Sequence, residues 1–239
     1  MSRLVRKRAA PEPATKPAEE PFGAFALAEH LASELAAAGK LGRAEVTRRR
    51  LLSATTALLQ QHGFLELTVA DICRRAGVAH GTFYLHWKDR RDAVQAVMTT
   101  FMQTIRTRRP PARPGQDFFE RLVTGHLYYI EVYRRNAGLM RAQRQLSDMM
   151  PEFAAIGLEA NLGLARRVLR TAAREAGAGA VPDGPERLAT ALACIGMVDK
   201  LLHDIFIRKL DLGMDDRALA RMFAGIWHSA LLRGHNPGH

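Results

Sequence analysis

The fold is decided by the stretch from Thr68 to Trp87, which reads TVADICRRAGVAHGTFYLHW. Thr68 can cap the N-terminus of a first short helix, and Asp71, three residues further on, can complete that cap. Gly77 supplies the positive φ angle that a sharp turn between two helices requires. Phe83 and Trp87, four residues apart, can anchor a second helix that runs to about Trp87. The stretch therefore predicts a helix-turn-helix over residues 68–87.

The two short helices have distinct inner and outer faces. Ile72 and Cys73 face inward with the aromatic anchors, because helical spacing places them on one side. The outer face of the second helix then carries small and polar groups of the kind that read a DNA groove, namely His80, Thr82, Tyr84 and His86. Packing of Tyr84 into the core, and solvation of the two histidines, remain alternatives at this point.

The distribution of charge favours an anionic partner. The formal net charge is +11, and residues 41–109 hold twelve basic and five acidic residues, net +7. Positive charge concentrated in one segment is typical of proteins that bind the phosphate backbone, although solvated charge without a partner gives the same pattern. Arg48, Arg49 and Arg50 crowd the helix before the motif, where they either face DNA or form a solvated surface.

Outside the motif the chain reads as helices separated by short breaks. Residues 1–21 are predicted to be a disordered, basic and Pro-rich arm, which is either an ordinary disordered end or a minor-groove arm. We expect an extra helix within 22–40, a DNA-binding domain over 44–109 and a helical domain over 116–234, after a linker rich in Pro and Gly. No segment alternates like a strand, so an all-α fold is predicted. The expected helices outside the motif are Phe22–Ala38, Ala44–His62, Asp89–Arg109, Asp117–Arg135, Gly138–Met149, Pro151–Ala176, Pro185–Leu210 and Asp216–Arg233.

Several classes of protein are disfavoured by what the sequence lacks. It has no metalloprotease motif, cysteine pair, phosphate-binding glycine loop or nucleophile elbow, so we expect no catalytic residue, metal site or cofactor. Its two cysteines, Cys73 and Cys194, suit buried thiols in a reducing cytoplasm. The apolar runs are too short to span a membrane, and the N-terminus does not resemble a signal peptide. An architectural or low-specificity DNA-binding protein without an effector remains the alternative to a specific regulator.

The motif and its surroundings resemble the tetracycline-repressor (TetR) family. The resemblance covers about residues 44–105, through QHGF at 61–64, LTVADI at 67–72, AGV at 76–78, GTFYLHW at 81–87 and KDRRD at 88–92. It implies an N-terminal three-helix domain with the helix-turn-helix, followed by a helical domain for ligand binding and dimerisation. It also implies a transcriptional regulator, most often a ligand-responsive repressor, acting as a homodimer on palindromic double-stranded DNA.

The resemblance assigns DNA contacts to matching positions. Thr68 and Arg90 correspond to phosphate contacts, with Arg90 standing where members usually have Lys. Ala79 departs from the Ser or Thr that is frequent at its position, so one hydroxyl contact is absent. The full predicted DNA-binding set is Thr68, His80, Gly81, Thr82, Tyr84, His86, Arg90, Arg48 and Arg49.

The same resemblance implies two further surfaces in the helical domain. A pocket for a small, mostly apolar effector with one polar handle is expected among Phe101, Met102, Phe118, Leu122, His126, Tyr129, Met140, Met149 and Phe153. A dimer interface is expected along two helical stripes, with Leu188, Ala191, Leu192, Ile195, Met222, Phe223, Ile226 and Trp227. Both sets also suit an ordinary core within one chain, so that alternative stays open.

Overall fold

The computed structural model describes residues 23–37, 39, 42–177 and 184–232, and these form helices and turns without a β-strand. The predicted all-α fold is confirmed. The predicted arm at 1–21 lies outside the described residues. The helices are α1 (Leu27–Ala37), α2 (Arg43–His62), α3 (Val69–Ala76), α4 (His80–Phe83), α5 (Arg90–Thr107), α6 (Phe118–Arg135), α7 (Ala137–Met149), α8 (Pro151–Glu175), α9 (Pro185–Phe206) and α10 (Asp216–Leu232).

Helices α2, α3 and α4 form the predicted three-helix unit. The hydroxyl of Thr68 accepts a hydrogen bond from the backbone N–H of Asp71 at 3.1 Å, which confirms the cap of α3. Gly77 follows α3 with a φ of 66°, the left-handed conformation that its turn was expected to need. Ile72 and Phe83 are completely buried. These contacts fix α4 rigidly against the domain core.

The second helix of the motif is shorter than predicted. Helix α4 ends at Phe83, whereas the sequence predicts a helix to about Trp87. Beyond Phe83 the chain continues in tighter turns, in which the N–H of His86 donates to the carbonyl of Phe83 at 2.9 Å. The chain has to leave the helical path here because Asp89 adopts an extended conformation to cap α5. Trp87 still reaches the core, with its ring 5.7 Å from that of Phe83.

Helix α1 begins at Leu27, five residues later than predicted, because its start is fixed by a distant side chain. The amide oxygen of Asn136, which follows α6, accepts a hydrogen bond from the N–H of Leu27 at 2.8 Å. The amide nitrogen of Asn136 donates to the carbonyl of Phe25 at 2.7 Å. Residues 24–26 are thereby held in a non-helical conformation. Asn136 acts as the cap of α1 although it lies 109 residues from Leu27 in sequence.

Residues 135–139, which we call the α6–α7 corner, also contact α2. The Gln60 side chain accepts a hydrogen bond from the N–H of Leu139 at 2.9 Å and donates to the carbonyl of Arg135 at 3.0 Å. A Cβ atom at Gly138 would lie 2.1 Å from the backbone oxygen of Gln60. Glycine at position 138 therefore allows the two helices to touch, and the corner joins the two halves of the molecule.

Helices α6 to α10 form the second half, in which α6 and α10 make the most extensive helix pair. Helix α9 ends at Phe206 and not at Leu210. Lys209 has a φ of 62°, and the N–H of Leu210 turns back to the carbonyl of Asp204 at 2.9 Å. This local turn closes the C-terminal end of α9 before the loop to α10.

Candidate nucleic-acid interface and internal cavity

The predicted recognition surface consists of α4 and the turn that follows it. His80, Gly81 and Tyr84 are exposed, while Thr82 and His86 are partly exposed. Tyr84 leaves 52% of its surface to solvent, with its ring 5.4 Å from that of His80. The alternative in which Tyr84 packs into the core is therefore wrong. The DNA contacts of these five residues remain a prediction, and their accessibility is compatible with it.

Leu85 belongs to the same surface, although sequence reasoning did not single it out. Its side chain is 81% exposed, the highest value among the large hydrophobic residues of the described chain. An exposed aliphatic group beside polar ones can contact the methyl group of thymine in a major groove. The missed signal was its position between Tyr84 and His86, both assigned to the outer face.

Thr68 and Asp71 form a closed hydrogen-bonded pair at the start of α3. The Thr68 hydroxyl donates to a carboxylate oxygen of Asp71 at 2.6 Å while accepting from the Asp71 N–H. This bond and the neighbouring Arg74 lower the pKa of Asp71 below its usual range. The hydroxyl proton of Thr68 is thus used within the protein, and the free N–H groups of the first turn of α3 are the groups that favour an anion there.

Arg90 has a structural role besides its predicted contact with phosphate. Its guanidinium donates to the carbonyl of Leu67 at 2.6 Å and lies 4.7 Å from the ring centre of Phe64. The group therefore supports the loop before Thr68. It is not paired with Asp89, whose carboxylate instead accepts the N–H groups of Arg91 and Asp92 at 2.7 and 3.0 Å. The contact of its remaining guanidinium donors with phosphate stays a prediction.

Two of the arginines on α2 have local partners. Arg49 forms an ion pair with Glu45 at 2.7 Å, and this hydrogen bond lowers the pKa of Glu45. Arg48 is exposed and lies 5.9 Å from the ring centre of Trp87, beside the recognition surface. Surface ion pairs of the Arg49 type contribute little and exchange readily for other anions. Arg48 is the better placed of the two for contact with DNA.

A cavity of about 680 Å³ lies between α5, α6 and α8, with α9 and α10 contributing to its wall. Of the nine residues predicted to line a pocket, four do so, namely Met102, Leu122, His126 and Tyr129. His126 is buried, which lowers its pKa to about 3, with the charge of Arg109 adding to the effect. The imidazole is therefore neutral. Tyr129 donates to Asp199 at 2.6 Å, so its hydroxyl proton is already taken.

The other five predicted pocket residues are wrong for this cavity. Phe101, Phe153 and Met140 are packed into the core, since a helical apolar stripe fills the interior before it borders a void. Phe118 borders a second, smaller cavity of about 320 Å³, which adjoins the first and shares Arg106, Arg109 and Arg167 with it. Met149 is 59% exposed at the end of α7. Sequence reasoning also missed the basic members of the wall, because a search for apolar spacing passes over arginine.

The predicted dimer stripes divide into buried and accessible members. Ala191, Ile195, Phe223 and Trp227 are buried within the single chain and are therefore wrong as interface residues. They lie on the inner faces of α9 and α10, which pack against other helices of the same chain. The accessible members are Leu188, Leu192, Met222 and Ile226, with Ile226 42% exposed.

No group of three or more His, Cys, Asp and Glu side chains within the described ranges is arranged to hold a metal ion. Among the same residues, no helix combines the length and the hydropathy needed to cross a bilayer.

Comparison with known sequences places the similarity in the helix-turn-helix unit. Residues 51–97 match the family model "Bacterial regulatory proteins, tetR family". The regulator BetI of Klebsiella pneumoniae (strain 342), a helix-turn-helix transcriptional regulator, is 34% identical over 67 residues, which cover 28% of this chain and 34% of BetI. BetI of Escherichia coli (strain K12 / DH10B) is 33% identical over the same length. The match thus spans about a third of these relatives.

Solved structures extend the likeness to most of the fold. The fatty acid degradation regulator FadR from Bacillus halodurans is 19% identical with a TM-score of 0.59, over 83% of this chain and 99% of that one. A transcriptional regulator from Rhodococcus sp. Rha1 is 21% identical with a TM-score of 0.61, over 78% and 96%. At such identities the likeness concerns the fold alone. With the matched family model and the helix-turn-helix geometry, it leads to one conclusion: residues 51–97 are similar to the DNA-binding unit of the TetR family, within a helical fold like those of the solved regulators.

Proposed function

We propose that this protein is a sequence-specific, DNA-binding transcriptional regulator in the cytoplasm, acting as a ligand-responsive repressor. The observation that carries the proposal is the short, firmly anchored α4, which presents polar side chains at the surface of a domain with concentrated positive charge. A helix with these properties fits the major groove, while α3 crosses the phosphate backbone. The named sequence relatives are themselves transcriptional regulators.

Helix α5 supports the ligand-responsive part of the proposal. At its first residue, Arg90 holds the loop before Thr68. Near its other end, Met102 and Ile105 line the internal cavity. One rigid element of 18 residues thus contacts both the helix-turn-helix and the cavity. A molecule that fills the cavity and shifts α5 would alter the position of α3 and its DNA contacts, provided that it binds the two positions with different affinity.

A homodimer on a near-palindromic operator is the arrangement that suits these elements. Leu188, Leu192, Met222 and Ile226 leave apolar surface accessible on α9 and α10. A second copy of the chain would cover this surface by the same patch on both subunits. Two helix-turn-helix units related by a twofold axis then match half-sites about one helical turn apart. We also propose the division into a DNA-binding domain over 44–109 and a sensing and dimerisation domain over 116–234.

The alternative is an architectural DNA-binding protein without an effector. It would share the basic charge, but it has no need of an internal cavity of about 680 Å³. Pockets of this size, with apolar walls and a few polar groups, are typical of small-molecule sites. The cavity therefore favours the regulator.

Selection from a random DNA pool tests the proposal. We expect the full chain to enrich one inverted-repeat sequence and to bind it at least about a thousand times more tightly than random DNA at a stated salt concentration. Thr82→Ala should reduce that preference, whereas Thr190→Ala, a matched change on α9 far from α4, should not. Enrichment of no sequence, with equal affinity for all DNA, would establish the architectural alternative.

A further inference from the structure

The wall of the internal cavity is divided into a basic end and an apolar remainder. Four arginines line it: Arg106, Arg109 and Arg167, where the end of α5 meets α6 and α8, and the exposed Arg166 beside them on α8. Apolar side chains line much of the rest, among them Ile156 and Trp227. Such a division matches a molecule that is itself charged at one end and apolar along its body.

The side chain of Arg109 lies close to the backbone of α6 at Gly125. A Cβ atom at Gly125 would lie 2.6 Å from a terminal nitrogen of Arg109. The guanidinium therefore occupies a space that the side chain of any other residue at position 125 would enter. Burial, together with the positive charge of Arg167, lowers the pKa of Arg109 to about 10. Even so, the group remains fully charged at neutral pH.

These arginines lack acidic partners in the described part of the chain. No ion pair joins Arg106, Arg109 or Arg167 to a carboxylate there, and their strongest electrostatic neighbours include one another. Glu159 is the one carboxylate among the lining residues. It precedes Arg167 by eight residues on α8, which separates the two Cα atoms by about 12 Å along the helix axis.

Clustered like charges of this kind are unfavourable without an anion. A partly desolvated guanidinium has lost water and gains no compensating carboxylate here. A carboxylate or phosphate group can accept hydrogen bonds from two guanidinium groups at once, and such charge-assisted bonds are stronger than neutral ones. The arginines without carboxylate partners therefore favour an anionic head group on a bound molecule.

The other polar groups of the cavity do not compete for this role. The hydroxyl of Tyr128 donates to the carbonyl of Ile105 at 3.0 Å, and that of Tyr129 donates to Asp199. His126 is neutral, so its imidazole adds no charge to the wall of the cavity. A cationic ligand would meet four arginines and a single carboxylate, that of Glu159, so the cavity selects against cations.

We propose that the cavity binds an amphiphilic anion, with a carboxylate or phosphate head between Arg109 and Arg167 and an apolar body directed towards Ile156 and Trp227. That this ligand acts as the effector rests on the function proposed above. Binding itself does not, because it requires only the cavity.

Calorimetric titration of the full chain without DNA tests the binding. The probes are dodecanoate, dodecyl phosphate, dodecanol and dodecyltrimethylammonium, each below its micelle-forming concentration. We expect at least one of the two anions to bind about ten-fold or more tightly than the alcohol, and the cation to bind more weakly than the alcohol. The two anions also reveal which head group the arginines prefer. Equal affinity for the anions and the alcohol would overturn the proposal.

Variants locate the head group. Arg109→Gln and Arg167→Gln should each lower the affinity for the preferred anion by about ten-fold and leave that for dodecanol unchanged. Arg174→Gln removes one exposed charge from the same helix outside the cavity and should change neither. If Arg109→Gln fails to fold, the test depends on Arg167→Gln, which changes a partly exposed side chain. Anion affinity that survives the change at Arg167 would contradict the assigned position.

A second readout separates the two proposals. The preferred anion should weaken binding of the wild-type chain to its selected DNA sequence, and Arg167→Gln should reduce that effect. Anion binding without any selected DNA sequence would retain the site and reject the regulator. A selected DNA sequence without anion binding would support the regulator and reject the proposed anion site.

Discussion

Replacement of Asn136 by alanine measures how strongly the α6–α7 corner holds α1. The side chain is 1% exposed and bonds to Leu27, Phe25 and Val132. The carbonyl of Val132 keeps its bond from the backbone N–H of residue 136, so alanine leaves two buried groups without a partner. Each such group costs roughly 1–3 kcal/mol. We therefore expect the free energy of unfolding to fall by roughly 2–6 kcal/mol, since the two costs add when the groups are independent.

Two measurements on the full chain check this expectation. Urea unfolding followed by circular dichroism gives the total loss, and hydrogen exchange of the peptide from Leu27 to Ala37 shows whether α1 is released. Gln145→Ala, which truncates an exposed amide on α7, serves as the control and should change stability by less than about 0.5 kcal/mol. A loss below about 1 kcal/mol for Asn136→Ala, with unchanged exchange in α1, would falsify the assigned cap.

Four further changes probe other features. Thr82→Ala should weaken binding to the selected operator by about 1–3 kcal/mol with little effect on random DNA, and equal losses on both in competition assays would mark a backbone contact. Arg90→Ala should weaken binding to all sequences and lower the slope of log affinity against log salt by about one; an unchanged slope would restrict Arg90 to supporting the loop before α3. Gly138→Ala should destabilise the fold by at least about 1–3 kcal/mol in urea, because its Cβ would meet the backbone of α2, whereas Gly163→Ala, which meets nothing within 4 Å, should be neutral or stabilising. Burial lowers the pKa of His126 to about 3, so the imidazole takes up a proton in the unfolded chain before it does so in the folded one. The free energy of unfolding should therefore fall by up to about 1.4 kcal/mol per pH unit as the pH drops below about 6.5. Unfolding curves of His126→Gln should lack this pH dependence, and an unchanged dependence would contradict the assignment.

Local chemistry made the helix-turn-helix predictable. The cap at Thr68, the left-handed turn at Gly77 and the aromatic anchor at Phe83 each depend on neighbours within a few residues, and the structure confirms all three. The premature end of α4 was not predictable in this way, because it follows from the direction in which α5 has to leave Asp89.

Features that depend on distant residues were beyond sequence reasoning. The start of α1 is set by Asn136, which no local pattern connects with Leu27. Apolar spacing on α9 and α10 showed which residues share a face but not which face is covered by the same chain, so Phe223 was assigned to an interface although it lies in the core. The basic end of the cavity arises where three helices meet, and helical periodicity carries no information about such a meeting.

The α6–α7 corner sets a limit on modular engineering of this protein. A hybrid with the DNA-binding half of another regulator could be joined within the linker that follows α5. Here a cut within residues 110–115 would separate Gln60 from the backbone groups that it bonds in residues 135–139, and α1 from the side chain that starts it. A functional hybrid would have to transplant the corner together with α1 and α2, or supply an equivalent corner from the new host.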